Sequence, residues 1–413
     1  MTATIHLPAM TPPAGPHIAI HLTPSAERAI RAGHPWLFDQ GIRRQSHPGP
    51  AGALAVLFDR KRRFLAVGLY DPDSPIRVRV LQAGTPATID TAWFQARLAA
   101  AYARRAPLHQ SPATTGYRLV HGENDGLPGL VLDRYDQVGV LKLDTAAWLP
   151  HLPGLLAALL AVVPLRQVVL RLSRRIAQAG APVYDGRTVV GEAVTRPVLF
   201  RENGLQFAAD VVQGQKTGFF FDHRDNRARV ETLAQGRETL NVFAYSGAFS
   251  LYAARGGAPA VLSLDGSRPA LDAAGQNFQL NRHVPAVAAA QHELLAADAF
   301  AALPRLQADG RRFDLVIIDP PALAKSQPEV AGALAAYGRL VESGVRLLRP
   351  GGILVMASCT ARVSAAQFFD AVHQAAQATG RPLRELTRTG HALDHPVSFR
   401  EGAYLKCLFA AVG

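Results

Sequence analysis

The sequence predicts an α/β protein. A doubly wound parallel sheet is expected over residues 199–413, behind a β-rich module at 17–85 and an α/β segment at 86–198. Three observations carry that expectation. Phe313-Asp314-Leu315-Val316-Ile317-Ile318 holds four aliphatic residues in a row, three of them β-branched, and is stopped by Asp319-Pro320-Pro321. A run too short for a helix and ended by proline reads as a buried central strand. Leu240 to Asp265 reads strand, glycine-bearing turn, helix, strand, acid, which is how doubly wound folds approach a ligand. From Phe200 onward, strand-like and helix-like patterns alternate with short loops, as in βαβ units.

Length and composition bound the rest. At 413 residues two or three domains are expected. Apolar residues make up 48% and charged residues 18%, a globular balance. No apolar run reaches the length of a membrane span. Residues 1–16 form a polar, Pro-rich tail without the pattern of a signal peptide. Two cysteines do not make a disulfide framework, so a reduced, cytoplasmic setting is expected. The net charge is +12, and residues 1–110 carry thirteen Arg/Lys against six Asp/Glu. A polyanion such as RNA is the natural partner for that excess. A generally Arg-rich composition would produce the same count.

In chain order, His17 to Leu22 reads as a strand. Pro24 to Ile30 reads as a short helix with Ser25 as its cap. Gly33-His34-Pro35-Trp36-Leu37-Phe38 is a turn into a strand, and strands follow at Ala53–Leu57, Phe64–Tyr70 and Ile76–Leu81. Residues 88–112 read as a helix. Gly122-Glu123-Asn124-Asp125-Gly126-Leu127-Pro128-Gly129 is a dense turn cluster between two strands. Strands near 138–143, 168–172, 189 and 198, with a helix near 152–163, complete the α/β segment.

Glu202 to Phe207 reads as a hairpin. The loop Gly214 to Arg227 holds Lys216 and Thr217 but lacks the spacing of a triphosphate-binding loop. After the Leu240–Ala244 strand, Tyr245-Ser246-Gly247 supplies only one glycine, which argues against a dinucleotide pyrophosphate. It suits a nucleoside ligand without phosphates, such as S-adenosylmethionine. Asp265, 18 residues after Gly247, stands where a ribose diol would be held. A further strand ends near Asp298, within reach of an adenine amino group. A helix over 328–348 stops at Arg349-Pro350-Gly351-Gly352, and a strand over Ile353–Thr360 carries Cys359. Two late strands close the sheet. Gly247, Asp265, Asp319 and Cys359 would then share one sheet edge. Each alone is a weak signal, and a lone strand-end cysteine is more often a small buried hydrophobe.

The Gly33-His34-Pro35-Trp36 opening resembles a PUA domain, an RNA-binding barrel. The longer resemblance spans nearly the whole chain. Gly122 to Gly129, Gly214 to Arg227, Asn241 to Ser250, Asp319-Pro320-Pro321, Ser358-Cys359-Thr360 and Asp394-His395-Pro396-Val397 resemble the bacterial 23S rRNA cytosine-C5 methyltransferases. That family joins a PUA domain to a class I methyltransferase domain. The resemblance implies a Rossmann-like class I sheet, S-adenosylmethionine as cofactor, 23S rRNA as substrate, and possible homodimers. It implies Cys359 as nucleophile and Asp319 as its partner at the base. It assigns Lys216, Thr217, Arg224, Phe243, Tyr245, Ser246, Gly247, Asp265, Ser267, Asp298 and Asp319 to the cofactor pocket.

Two alternatives stay open on the residues alone. One is an amino- or ring-nitrogen methyltransferase with Cys359 structural. Such enzymes commonly place an aromatic after the two prolines, where this chain has Ala322. The other is a noncatalytic RNA-binding factor. Cys407, inside Tyr404-Leu405-Lys406-Cys407-Leu408-Phe409, reads as core.

Overall fold

The computed structural model describes residues 4–413, so the first three residues of the expected tail lie outside the described residues. The chain forms two compact units. The first holds the chain up to Gly204, Ala209–Phe219 and Leu393–Arg400; the second holds Leu205–Ala208, Phe220–Ala392 and Glu401–Gly413.

The first unit contains two sheets. β1 (Ile18–Leu22), β2 (Trp36–Phe38), β3 (Ile42–Gln45), β4 (Leu54–Phe58), β5 (Phe64–Tyr70) and β6 (Ile76–Ala83) form a six-stranded sheet in the order β2-β6-β5-β4-β1-β3. Its core gathers Ile18, Ile20, Leu22, Leu37, Leu57 and Val78. α1 (Pro24–Arg31) is capped by Thr23, whose hydroxyl accepts from the Ala26 N–H, and not by Ser25. Pro24 takes the first helical position, for which its fixed φ suits it, and that puts the cap two residues upstream of Ser25.

The expected 88–112 helix is two pieces, α2 (Thr91–Arg104) and α3 (Ala106–His109), with Pro107 in the first turn of the second. β7 (Gly116–His121), β8 (Leu130–Tyr135), β9 (Val138–Leu143), β10 (Gln167–Leu172) and β11 (Thr188–Val190) form the second sheet, in sequential order. α4 (Leu152–Val162) and α5 (Arg174–Gln178) flank β10 in sequence. β12 (Val198–Glu202) and β13 (Leu205–Ala209) flank Asn203 and Gly204, both at positive φ as a tight two-residue turn requires.

The second unit is the doubly wound fold. α6 (Arg224–Leu233) leads into β14 (Thr239–Val242), α7 (Ala248–Arg255), β15 (Ala260–Asp265), α8 (Arg268–Leu280), α9 (Pro285–Ala289), β16 (Gln291–Ala296), α10 (Ala299–Ala308) and β17 (Phe313–Ile318). α11 (Val330–Leu347), β18 (Leu348–Ser358), α12 (Ala365–Ala378), β19 (Leu383–Thr389) and β20 (Lys406–Val412) follow. The sheet order is β16-β15-β14-β17-β18-β20-β19. The first five strands run parallel, while β20 pairs antiparallel with both β18 and β19. β17 is central, and Leu315 to Ile318 are all buried, as an apolar run covered on both faces should be. β18 starts earlier than expected, at Leu348. Arg349 to Gly352 are absorbed as an irregular strand opening, with Gly351 at φ 72° and a register shift against Phe313/Leu315.

Candidate active site

Parallel register brings the ends of β14, β15, β17 and β18 to one edge, where open α/β sheets place their ligands. After β14 the backbone makes an unusual turn. Phe243 (φ 61°), Tyr245 (φ 47°) and Gly247 (φ 75°) all lie in the left-handed region. Two non-glycine residues held there store strain, a feature that gathers at functional sites. The turn is pinned from several directions. The Ala244 N–H donates to the Leu264 carbonyl at 3.0 Å, and the Tyr245 N–H donates to Asp265 Oδ2 at 2.8 Å. Buried Asn277 on α8 donates its side-chain amide to the Ser246 carbonyl at 2.9 Å. Gly247 opens α7, and a Cβ there would sit 2.7 Å from the Ala274 Cβ.

Asp265 ends β15 and organises two backbones, because its other oxygen accepts from the Ser267 N–H at 2.8 Å. Ser267 in turn caps α8 through the Ala270 N–H. A carboxylate offers about four lone-pair sites, so two remain for a diol. Asp298 follows β16 and caps α10, accepting from the Ala301 N–H at 3.1 Å through one oxygen. Its role at the sheet edge is therefore partly structural.

Asp319 leaves β17 with its N–H directed at the Val242 carbonyl. Oδ1 lies 3.3 Å from Nε2 of buried His223. Burial opposes a charged imidazole, but the Asp319 carboxylate, with Asp222 behind it, outweighs burial and raises the His223 pKa above its ordinary value. His223 Nδ1 and the Asn226 amide nitrogen are 3.0 Å apart, and the ring packs edge-on against Phe249. Asp222 accepts from the Tyr404 hydroxyl at 2.9 Å, and the Phe220 and Tyr245 rings meet edge to face. Arg224 is buried at the start of α6. The Phe220–Arg227 stretch thus packs against the Phe243–Phe249 turn.

Cys359 is part-buried directly beyond β18, its Sγ 3.9 Å from the Pro320 carbonyl. The thiol and the Asp319-Pro320 elbow therefore adjoin. On α11, the Tyr337 hydroxyl lies 2.8 Å from the Ser358 hydroxyl and 2.6 Å from that of Thr360, bracketing the cysteine. The Thr360 hydroxyl also accepts the Leu323 N–H at 3.1 Å, tying the proline elbow to the cysteine turn. Cys407 is fully buried, and burial pushes its thiol pKa up, as a core residue should behave.

Lys216 and Thr217 belong to the first unit. There the buried Thr217 hydroxyl donates to Asp133 Oδ2 at 2.6 Å, inside a polar hub. Arg118 pairs with both Asp133 oxygens. Fully buried Arg105 pairs with both Asp125 oxygens at 2.7 Å and donates to the Asp394 carbonyl at 2.8 Å. Asp394 Oδ2 accepts the Arg118 N–H, and its other oxygen faces His395 Nδ1 at 3.0 Å. The 122–129 cluster and the Asp394-His395 pair therefore build structure. Trp36 continues that role, donating its indole N–H to Glu123 at 2.8 Å.

His223, Tyr337, Asn277 and Lys406 were not singled out by sequence reasoning. His223 stood inside a quoted segment, but nothing local reveals that its ring reaches a strand end 96 positions away.

A strained turn, a strand-end acid and an acid-proline-proline elbow share one edge of a β16-β15-β14-β17-β18-β20-β19 sheet, the fold of class I methyltransferases. Residues 177–383 match the family described as S-adenosylmethionine-dependent methyltransferase, and residues 20–83 match a PUA-like domain. A Deinococcus radiodurans protein named "Ribosomal RNA large subunit methyltransferase" is 52% identical over 400 residues, covering 95% of this chain and 97% of its own. A Photobacterium profundum protein named "Ribosomal RNA large subunit methyltransferase I" is 36% identical over 391 residues, covering 94% and 98%. A solved structure of a candidate S-adenosylmethionine-dependent methyltransferase from Streptococcus mutans shares the fold. Its TM-score is 0.80 at 21% identity, over 95% of this chain and all of that one. A solved methyltransferase complexed with SAH gives a TM-score of 0.81 at 21% identity, with the same coverage of 95% and 100%. The chain belongs to the S-adenosylmethionine-dependent methyltransferase family, and its cofactor is S-adenosylmethionine. No helix among the described residues is long and apolar enough to cross a membrane.

Proposed function

We propose that this protein methylates C5 of a cytosine in large-subunit ribosomal RNA, the 23S rRNA, through a covalent Cys359 adduct. The adjacency of Cys359 and Asp319 carries the reading: the thiol lies 3.9 Å from the carbonyl of the residue after the acid. The printed names of the relatives support the substrate class.

Cytosine C5 is a poor nucleophile. The Cys359 thiolate adds to C6, forming a C–S bond and pushing the ring electrons toward C5. C5 takes the methyl group that S-adenosylmethionine supplies. The S–methyl bond breaks and S-adenosylhomocysteine is left, the C5 proton passes to water, the C5–C6 double bond re-forms and the thiolate departs. Asp319 hydrogen-bonds the ring edge and favours the activated form, with His223 holding its carboxylate. Asp265 holds the cofactor ribose, Asp298 meets the adenine through its remaining oxygen, and the Phe243–Gly247 turn receives the methionine end. Arg224 and Ser267 support that pocket from the starts of α6 and α8. The base must be unstacked to reach the thiol, and the basic PUA-like module grips neighbouring phosphates.

The test is nucleoside analysis. Purified protein is incubated with methyl-labelled S-adenosylmethionine and unmodified large-subunit rRNA, and the RNA is digested. Label in 5-methylcytidine supports the reading. Label in a methylated guanosine or adenosine overturns it and leaves Cys359 a structural residue.

A further inference from the structure

Lys406 opens β20 opposite Ser358 of β18, one residue before the cysteine. It is 5% exposed, an uncommon place for an ammonium. Nζ donates to the Thr360 carbonyl at 2.7 Å and to the Val363 carbonyl at 2.9 Å, so it grips the turn that follows Cys359 at two points. An ammonium has a third N–H to give. No carboxylate pairs with Lys406 among the described residues, and the charge of ionised Cys359 favours its charged form.

We propose that Lys406 is the positioning residue of Cys359: its buried ammonium fixes the turn that carries the thiol and supplies the counter-charge for the thiolate. The proposal rests on the reading of Cys359 as the attacking nucleophile and names what prepares it. Only the thiolate attacks, and a buried cation without an acid partner lowers the cost of making one. Burial pulls the Lys406 pKa down to about 8, and the Cys359 charge pulls it back up. The influence is reciprocal, so a charged Lys406 favours the Cys359 thiolate in turn. Other groups face the same spot. Asp319, at the end of β17, opposes a thiolate, and Tyr337, on α11, stays neutral because burial and the nearby charges of Cys359 and Asp319 raise its pKa. Lys406 on β20 is the cation whose charge favours the thiolate.

The experiment is the rate of Cys359 alkylation by iodoacetamide against pH, on the full chain without RNA. Cys359→Ala serves as the blank, since Cys407 is fully buried. The wild-type midpoint is expected about one unit below the ordinary thiol value of about 8.5. Lys406→Met is expected to return it to that value or above and to slow alkylation at neutral pH roughly tenfold. Lys406→Arg keeps the charge and is expected to restore part of the shift. A wild-type midpoint at or above the ordinary value overturns the proposal, even if Lys406→Met does not fold. An unmoved midpoint in folded Lys406→Met does the same.

RNA containing 5-fluorocytidine, whose C5–F bond does not break, separates the two readings. A depressed wild-type midpoint without trapping keeps Lys406 beneath the thiolate and removes the adduct. Equal trapping rates in wild type and Lys406→Met keep the adduct and remove the role of Lys406.

Discussion

The His223 imidazole meets the Asp319 carboxylate at 3.3 Å, with the histidine buried and the acid side chain 24% exposed. The acid at the sheet edge is thus faced from behind by an imidazole whose charged form the carboxylate favours. His223→Leu should lower kcat roughly tenfold, about 1.4 kcal/mol in the barrier, while cofactor affinity changes far less. His223→Gln keeps a polar contact without the charge and should fall between. The pKa is raised in the folded chain. The stability from the pair is therefore complete below the ordinary imidazole value, and is lost as pH rises through the raised one. Steady-state kinetics and melting from pH 6 to 9 would check this. A wild-type advantage over His223→Gln that grows with pH would contradict it.

Legibility followed the physics of each element. The Leu315–Ile318 run was readable because a strand covered on both faces must be apolar throughout. Gly247, Asp265, Asp319 and Cys359 were readable as a set because parallel strands deliver their ends to one edge. Lys406 was not. A single lysine in an apolar strand looks like an edge residue, and its carbonyl partners lie 46 and 43 positions upstream. The antiparallel closure by β20 was also hidden, since strand direction leaves no mark in an apolar run.

Gly247→Ala should harm both stability and cofactor binding. The position has φ 75°, and the new Cβ would lie 2.7 Å from the Ala274 Cβ. A non-glycine residue held in such a region costs of the order of 1–3 kcal/mol. Adding Ala274→Gly removes the clash but not the backbone strain, so the double variant should recover only part of the loss. Thermal melts with and without S-adenosylmethionine would measure both. Full recovery would show that sterics alone fix this glycine.

His292 predicts an acid limb to stability. Its ring stacks on Phe278 with centroids 3.6 Å apart, and Nε2 lies 2.8 Å from the Ser263 hydroxyl. Burial lowers its pKa to about 4. Between the ordinary value of about 6.5 and that lower value, the unfolded chain binds the extra proton, so stability rises with pH. At about 1.4 kcal/mol per unit, the displacement amounts to at most roughly 3 kcal/mol. His292→Phe keeps the stacking and removes the titration. Urea midpoints at pH 4.5 and 7 should differ less for the variant than for the wild type. An equal difference would place the acid limb elsewhere.

The Arg105 hub predicts which substitutions the first unit will not tolerate. Arg105 and the Asp125 carboxylate are both fully buried, paired through two hydrogen bonds of 2.7 Å. The same guanidinium also serves the carbonyls of Ala101, Arg118 and Asp394, the last 289 positions away. Removing Arg105 leaves the buried Asp125 carboxylate with the half-exposed Arg104 and the His121 N–H as partners, so the cost should reach, at most, the roughly 3–5 kcal/mol of an unpaired buried charge. Arg105→Met should therefore destabilise strongly, and Arg105→Lys nearly as much, because an ammonium cannot form the planar fork. Arg105→Met with Asp125→Leu removes both charges and should be less damaging than Arg105→Met alone, though the carbonyls stay unserved. A double variant no better than Arg105→Met would mean that the carbonyl contacts, and not the ion pair, dominate. Denaturant midpoints of the four chains would decide between them.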